Sequence, residues 1–175
     1  MHRSFVVVRG DSNFLELEDL RGTVFAMNEP DSNSGMNLPR RLFAPLQREG
    51  RFFGERVVSG SHEASIEHVV AGRADTAAVD CVTFALLRRY RPDALANVRI
   101  IAETPPSPAP PFATSARIDE SIHAVLRESL TDVARNRELC DSLLIGAVEL
   151  ADESAYGIVL QYEREAEALG YPILA

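Results

Sequence analysis

Strand-like and helix-like segments alternate over the first hundred or so residues, and this alternation limits the fold more than any other feature. Short apolar runs of strand length are each followed by polar turns, and most of these open onto segments whose apolar residues recur at helical spacing. The predicted strands are residues 5–9, 23–27, 56–59, 76–79 and 98–103, and the predicted helices are about residues 37–49, 63–71 and 81–90. Gly50, Gly72 and Pro92 follow the three helices, as residues that end helices do. This alternation predicts an α/β fold with a mostly parallel sheet and flanking helices.

The pattern changes after the fifth predicted strand. Residues 104–111 are rich in proline and predict a stiff, extended connector. Only helical patterns follow, at residues 118–130 and at residues 156–169. Asp119 is the candidate cap of the first of these helices. The predicted domains are an α/β lobe at residues 1–103 and, at residues 104–175, the connector with a C-terminal helical extension.

A turn of small polar residues follows the second predicted strand and opens onto a helix. It contains Ser32, Asn33, Ser34 and Gly35. The first backbone N–H groups of a helix have no internal partners and lie at the positive end of the macrodipole, so with the serine hydroxyls they suit phosphate-like oxygens. Gly35 allows a ligand or another backbone segment to come close. The alternative is that these residues only form the turn and cap the helix.

Two further strand ends carry polar residues in the same position. Ser61 and His62 follow the third predicted strand, and Asp80 follows the fourth. Because the carboxyl ends of parallel strands lie along one edge of a sheet, where open α/β folds bind ligands, we expect these residues to converge with Ser32 and Ser34. Taken singly, His62 could be a cap or a surface residue and Asp80 a helix cap.

The order and spacing of several motifs carry a resemblance to a known family. The motifs are Leu17–Gly22, Pro30–Gly35, Ser59–His62, Val69–Asp75, Ala77–Asp80, Arg99–Pro106, Tyr156 and Gly170–Pro172. With them the chain resembles the phosphate, phosphite and phosphonate solute-binding proteins of ABC importers, which have a type II periplasmic-binding-protein fold. The resemblance implies a ligand-binding lobe with crossover strands over residues 1–103 and an ABC permease as partner.

The same resemblance implies roles for individual residues. In the family the hydroxyl-rich turn and the histidine-bearing turn hold the oxyanion, and a carboxylate at the Asp80 position meets an amine or an acidic hydroxyl of the ligand. The expected ligand-binding residues are Ser32, Asn33, Ser34, Gly35, Ser61, His62 and Asp80. No catalytic residue, cofactor or metal is expected. Asn33 departs from the family pattern, because a hydroxyl residue usually stands at that position.

The start of the chain also departs from the family pattern. Family members usually begin with an export signal and a complete first lobe, whereas Phe5–Arg9 looks like the crossover strand between lobes. The expectation is therefore a chain truncated to the second lobe and the C-terminal helices. The resemblance implies a periplasmic protein, whereas residues 1–8 contain no signal peptide and predict a cytoplasmic location if the product is complete.

Composition excludes some classes of partner and leaves other functions open. A net charge of −8 without a Lys/Arg-rich patch argues against nucleic acid, which needs clustered cations. A regulatory or scaffold protein derived from a solute-binding lobe is one alternative. A hydrolase with a triad of Ser32 or Ser34, His62 and Asp80 is less favoured, since no Gly-x-Ser-x-Gly elbow surrounds the serines. The apolar faces of the C-terminal helices predict a homodimer.

Overall fold

The computed structural model describes residues 1–175 and is built around a five-stranded sheet. The strands are β1 (Ser4–Arg9), β2 (Val24–Met27), β3 (Glu55–Val58), β4 (Thr76–Asp80) and β5 (Val98–Glu103), in the order β3-β2-β4-β1-β5. β2 is parallel to β3 and β4, whereas β1 is antiparallel to β4 and β5. Four strands thus run in one direction and β1 runs in the other, so the predicted mostly parallel α/β sheet is confirmed.

The reversed direction of β1 decides which residues reach the edge where the parallel strands end. Ser4, the first residue of β1, pairs with Asp80, the last residue of β4. Residues at the start of the chain therefore lie beside the carboxyl ends of the parallel strands. A β1 strand parallel to the others would place them at the opposite edge.

Six α-helices accompany the sheet. They are α1 (Leu38–Phe43), α2 (His62–Val70), α3 (Cys81–Tyr90), α4 (Glu120–Val133), α5 (Arg137–Leu143) and α6 (Gly157–Ala168). The bounds of α3 agree with the sequence prediction, and the predicted strands agree to within one residue at each end. α5 was not predicted.

The predicted helix at residues 37–49 is wrong in its bounds and in its regularity. The helical path begins at a π-helical turn, Asn33–Asn37, continues as α1 and ends in a 3-10 turn, Ala44–Leu46. Proline explains part of the irregularity, because Pro39 has no N–H to donate to the turn before it. Within this irregular stretch, the carbonyl oxygen of Ser34 accepts a hydrogen bond from a side chain outside the helix, Ser4 Oγ, at 2.8 Å.

The sheet has a hydrophobic core on each face. One core contains Val7, Ala26, Val79 and residues of α2 and α3. The other contains Val6, Phe25, Phe43, Phe52, Phe53, Tyr171 and Leu174, among others. The four phenylalanines of this second core make ring contacts with centroids 4.8–5.0 Å apart. Alternate residues of β1 and β2 belong to different cores, as expected for strands covered on both faces.

The chain divides into two compact units. The first comprises Met1–Pro108 and Ala155–Ala175, and the second comprises Ala109–Ser154. In the first unit, Asn37 Nδ2 donates to the carbonyl oxygen of Val159 in α6 at 3.1 Å. The predicted domain division between residues 103 and 104 stays a prediction, and α6 with the segment after it contributes to the core of the sheet-containing unit.

The second unit contains α4 and α5. Asp119 caps α4 by accepting a hydrogen bond from the Ser121 N–H at 2.8 Å, as the sequence indicated. No residue of α4 is buried. No helix of the protein has the length and apolar character needed to cross a membrane.

Candidate functional site

The turn after β2 is held together by Ser32. Its Oγ accepts a hydrogen bond from the Gly35 N–H at 2.9 Å, and its carbonyl oxygen accepts from the N–H groups of Met36 and Asn37. Ser32 is therefore the cap of the helical path. The Gly35 N–H, which the sequence suggested as an anion donor, is bonded within the turn.

Gly35 allows the turn to pack closely against its neighbours. A Cβ atom at this position would lie 1.7 Å from Asn28 Oδ1 and 3.3 Å from His62 Cε1. Any side chain here would have to displace Asn28, whose Oδ1 is buried without a hydrogen-bond partner in the protein. Glycine is needed for space, since its backbone does not adopt a positive φ.

Ser34, His62 and Asp80 meet at the edge of the sheet. His62 Nε2 lies 2.8 Å from Ser34 Oγ and 3.5 Å from Asp80 Oδ2. His62 Nδ1 lies 3.0 Å from the carbonyl oxygen of Ala78 in β4. The side chains of His62 and Asp80 are each only 11% exposed. The structure thus brings together the hydroxyl, the imidazole and the carboxylate that the sequence placed at separate strand ends.

The surroundings of His62 favour its neutral form. Burial lowers the pKa of His62, and the nearby His2 lowers it further, while the Asp80 carboxylate and the Ala78 carbonyl oppose this effect. With Nδ1 donating to Ala78, the neutral ring has its lone pair on Nε2. Ser34 Oγ then donates its proton to His62 Nε2.

Asp80 caps α3 and stays ionised. Its Oδ1 accepts hydrogen bonds from the N–H groups of Val82 and Thr83, both at 2.9 Å. Burial acts to raise the pKa of Asp80, but the nearby His2, the hydrogen bonds from Thr83 and the interaction with His62 outweigh it and hold the pKa well below its usual value. Oδ2 takes no part in the cap and faces His62.

His2 and Ser107 also belong to this edge, although neither lies in a motif that the sequence indicated as a site. His2 is 5% exposed, and its Nε2 lies 3.6 Å from Asp80 Oδ1. The backbones of His2 and Ser107 exchange two hydrogen bonds of 2.8 Å. One sequence feature could have pointed to these residues, namely the resemblance of Phe5–Arg9 to a crossover strand between lobes. If such a strand runs opposite to its neighbours, the residues before it lie at this edge.

The remaining predicted residues have structural contacts. Asn33 Nδ2 donates to Ser107 Oγ at 3.2 Å, and Asn33 Oδ1 accepts from Asn37 Nδ2 at 3.1 Å. Ser61 is exposed and caps α2 by accepting from the Ala64 N–H at 3.0 Å. The polar cluster therefore comprises Ser32, Asn33, Ser34, Gly35, His62 and Asp80, with His2 and Ser107 behind it. Ser61 lies at the start of α2 as its cap.

The geometry does not form a hydrolytic triad. In such a triad the carboxylate binds the imidazole nitrogen that faces away from the serine. Here Asp80 Oδ2 and Ser34 Oγ approach the same nitrogen, Nε2, and the opposite nitrogen is bonded to Ala78. The cluster therefore lacks the orientation that activates a serine.

A separate groove of about 590 Å³ lies beside α2 and the end of α3. Its lining includes Glu63, Ile66, Val70, Tyr90 and Arg91. None of the residues of the polar cluster lines this groove. The edge of the sheet is therefore chosen as the candidate site for its cluster of polar side chains, and not because it forms the groove.

One family profile matches most of the chain. The family profile described as "ABC transporter, phosphonate, periplasmic substrate-binding protein" matches residues 1–156. None of the curated proteins compared with the chain matches it.

Many solved structures share the fold, among them the following three. A binding protein component of an ABC phosphonate transporter from Pseudomonas aeruginosa has a TM-score of 0.84 at 19% identity, over 96% of this chain and 58% of that one. PhnD1 from Prochlorococcus marinus, in complex with methylphosphonate, has a TM-score of 0.77 at 17% identity, over 95% and 67%. A Xanthomonas citri protein bound to chloride has a TM-score of 0.65 at 18% identity, over 96% and 66%. The chain thus spans about three fifths to two thirds of the length of these proteins.

Proposed function

The chain belongs to the family of periplasmic phosphonate-binding proteins of ABC transporters, and from this premise we propose that it binds a small phosphorus oxyanion as the substrate-binding component of an importer. The observation that carries the proposal is the meeting of Ser34, His62 and Asp80 at the carboxyl edge of the sheet. The complex of PhnD1 with methylphosphonate supports the choice of ligand class.

Each member of the cluster has a role that its chemistry suits. The hydroxyls of Ser32 and Ser34, 3.5 Å apart, and the imidazole of His62 hold the oxygens of the anion. Asp80 Oδ2 accepts a hydrogen bond from an ammonium group or an acidic hydroxyl of the ligand. Gly35 and Asn33 hold the turn in place, and Ser61 maintains the start of α2.

A ligand panel tests the function. We expect methylphosphonate, phosphite or phosphate to stabilise the protein against thermal unfolding without being consumed, because a ligand that binds only the folded state stabilises it by mass action. At a ligand concentration of 100 times Kd this stabilisation is about 2.7 kcal/mol. Differential scanning fluorimetry measures the stabilisation, and ³¹P NMR measures turnover.

The controls are chloride at equal ionic strength and dimethyl methylphosphonate, which has no charge. Stabilisation by these two controls as large as that by the oxyanions would contradict the proposal. Hydrolysis of an ester bond of dimethyl methylphosphonate, the compound of this set that has one, would support the hydrolase alternative.

The proposed location and partner follow from the family. We propose that the protein acts in the periplasm and delivers its ligand to an ABC permease. Co-purification with the permease of its importer in the presence of the ligand would support this partner.

The proposed homodimer depends on α4. Four apolar residues of this helix are at least one third exposed and recur mainly at helical spacing: Ile122, Val125, Leu126 and Val133. α6 is partly covered by the sheet-containing unit, since Ala166 is buried, so it is less available than the sequence suggested. We expect Val125→Glu to shift the protein from dimer to monomer at micromolar concentration in light scattering, because a charge on an apolar interface is costly. A wild-type protein that is already monomeric would contradict the homodimer.

A further inference from the structure

Three hydrogen-bond acceptors meet where the oxyanion is proposed to bind. His62 donates its Nδ1 proton to the carbonyl oxygen of Ala78 at 3.0 Å, which leaves Nε2 with a lone pair. The ionised Asp80 presents Oδ2 at 3.5 Å from this nitrogen. A bound oxyanion without an acidic hydroxyl or ammonium group, such as the methylphosphonate dianion, adds a third acceptor. The nearest donor is the hydroxyl of Ser34, and it already points to Nε2 at 2.8 Å.

One additional proton on Nε2 resolves this excess of acceptors. The imidazolium then donates from Nε2 towards the anion and Asp80 Oδ2, while Nδ1 keeps its bond to Ala78. Nε2 no longer accepts the hydroxyl proton of Ser34, so Ser34 can donate to the anion as well. A single proton therefore converts both His62 and Ser34 into donors for the ligand.

The charges around His62 make this proton sensitive to the ligand. The titratable groups that face the ring are Asp80 at the end of β4 and His2 before β1. Glu63, the next residue of α2, is paired with Arg91. Burial lowers the pKa of His62 in the ligand-free protein, and an anion in contact with Nε2 would raise it.

We propose that the site takes up its oxyanion together with one proton, which is placed on Nε2 of His62. This inference rests on the proposed function and adds to it that anion affinity falls as the pH rises. The proton comes from the solvent and returns to it when the anion leaves. The only bond that forms is the N–H bond at Nε2 of His62, and it breaks again when the proton leaves.

NMR of the histidine rings tests the inference on the full chain. We expect the ligand-free protein to show His62 neutral with its proton on Nδ1. Saturation with methylphosphonate should raise the titration midpoint of His62 by about one pH unit or more. By linkage, a rise of one unit corresponds to a tenfold difference in affinity between the acid and alkaline limits.

Calorimetry in buffers with different ionisation enthalpies counts the protons that enter with the ligand. The wild type should take up a larger fraction of a proton than His62→Gln, in which the titrating ring is absent and the ligand's own ionisation is unchanged. His123→Gln is the matched control, because His123 lies on α4 outside the cluster. It should take up protons as the wild type does.

The outcomes separate this inference from the function on which it rests. If methylphosphonate, phosphite or phosphate binds and His62 titrates as in the ligand-free protein, the proton-linked capture is wrong and the proposed function stands. If ³¹P NMR places the additional proton on the ligand, the inference is also wrong. If none of the three anions binds at any pH between 5 and 9, both proposals fail.

Discussion

Replacing Tyr171 with alanine is expected to lower the free energy of unfolding by about 3–5 kcal/mol, the range for truncating a large aromatic side chain in a core. Tyr171 is 0% exposed and packs in the core that contains the phenylalanine cluster. Its hydroxyl donates to the carbonyl oxygen of Ala175 and accepts from the Ala175 N–H at 2.9 Å. Burial raises the pKa of Tyr171 to about 12, so the side chain stays neutral over the working range of pH.

Urea denaturation followed by circular dichroism measures the effect, with Tyr90→Ala as the matched control. Tyr90 lies at the end of α3 and is 54% exposed, so its truncation should change the free energy of unfolding by only about 0.5 kcal/mol. Tyr171→Phe removes only the hydroxyl and should cost about 1 kcal/mol. Equal midpoints for Tyr171→Ala and Tyr90→Ala would show that the C-terminal segment does not contribute to the core.

Replacing His62 with alanine is expected to weaken phosphonate binding by about 1.5–3 kcal/mol, the range for a hydrogen bond to a charged group. This corresponds to a roughly 10- to 150-fold rise in Kd. The physical reason is the position of Nε2, 2.8 Å from Ser34 Oγ and 3.5 Å from Asp80 Oδ2, at the centre of the cluster. Isothermal titration with methylphosphonate near pH 6 gives the affinities.

His123→Ala is the control for this measurement, because His123 lies on α4 and should leave Kd unchanged. The unfolding transition of His62→Ala must also be recorded, so that a loss of binding is not confused with a loss of folded protein. Indistinguishable titrations for His62→Ala and the wild type would remove His62 from the site.

Much of the fold could be predicted because strands, helices and caps are set by nearby residues. The apolar period of two or of 3.6 residues identified all five strands and located α2, α3, α4 and α6. Asp80 and Asp119 were readable as caps because capping needs only a side chain two or three positions from the N–H it binds. The helix at residues 37–49 was harder, since Pro39 and Pro45 change the hydrogen-bond pattern within it.

The candidate site could be predicted in part. The rule that parallel strands end at one edge correctly brought Ser34, His62 and Asp80 together. It could not show that the Gly35 N–H donates its hydrogen bond to Ser32 Oγ, or that glycine is needed at position 35 because Asn28 lies against it. These details depend on the path of the turn, which the residue types leave open.

The sequence by itself determined the alternation of strands and helices, the location of the polar strand ends and the caps. Only the tertiary structure decided that β1 runs against its neighbours, which places His2 beside Asp80, and that Tyr171 and Leu174 complete the core over the sheet. The physical reason is the distance along the chain over which each effect acts. Periodicity and capping act within a few residues, whereas strand direction and the covering of a sheet face depend on which distant segments bury their apolar surfaces together.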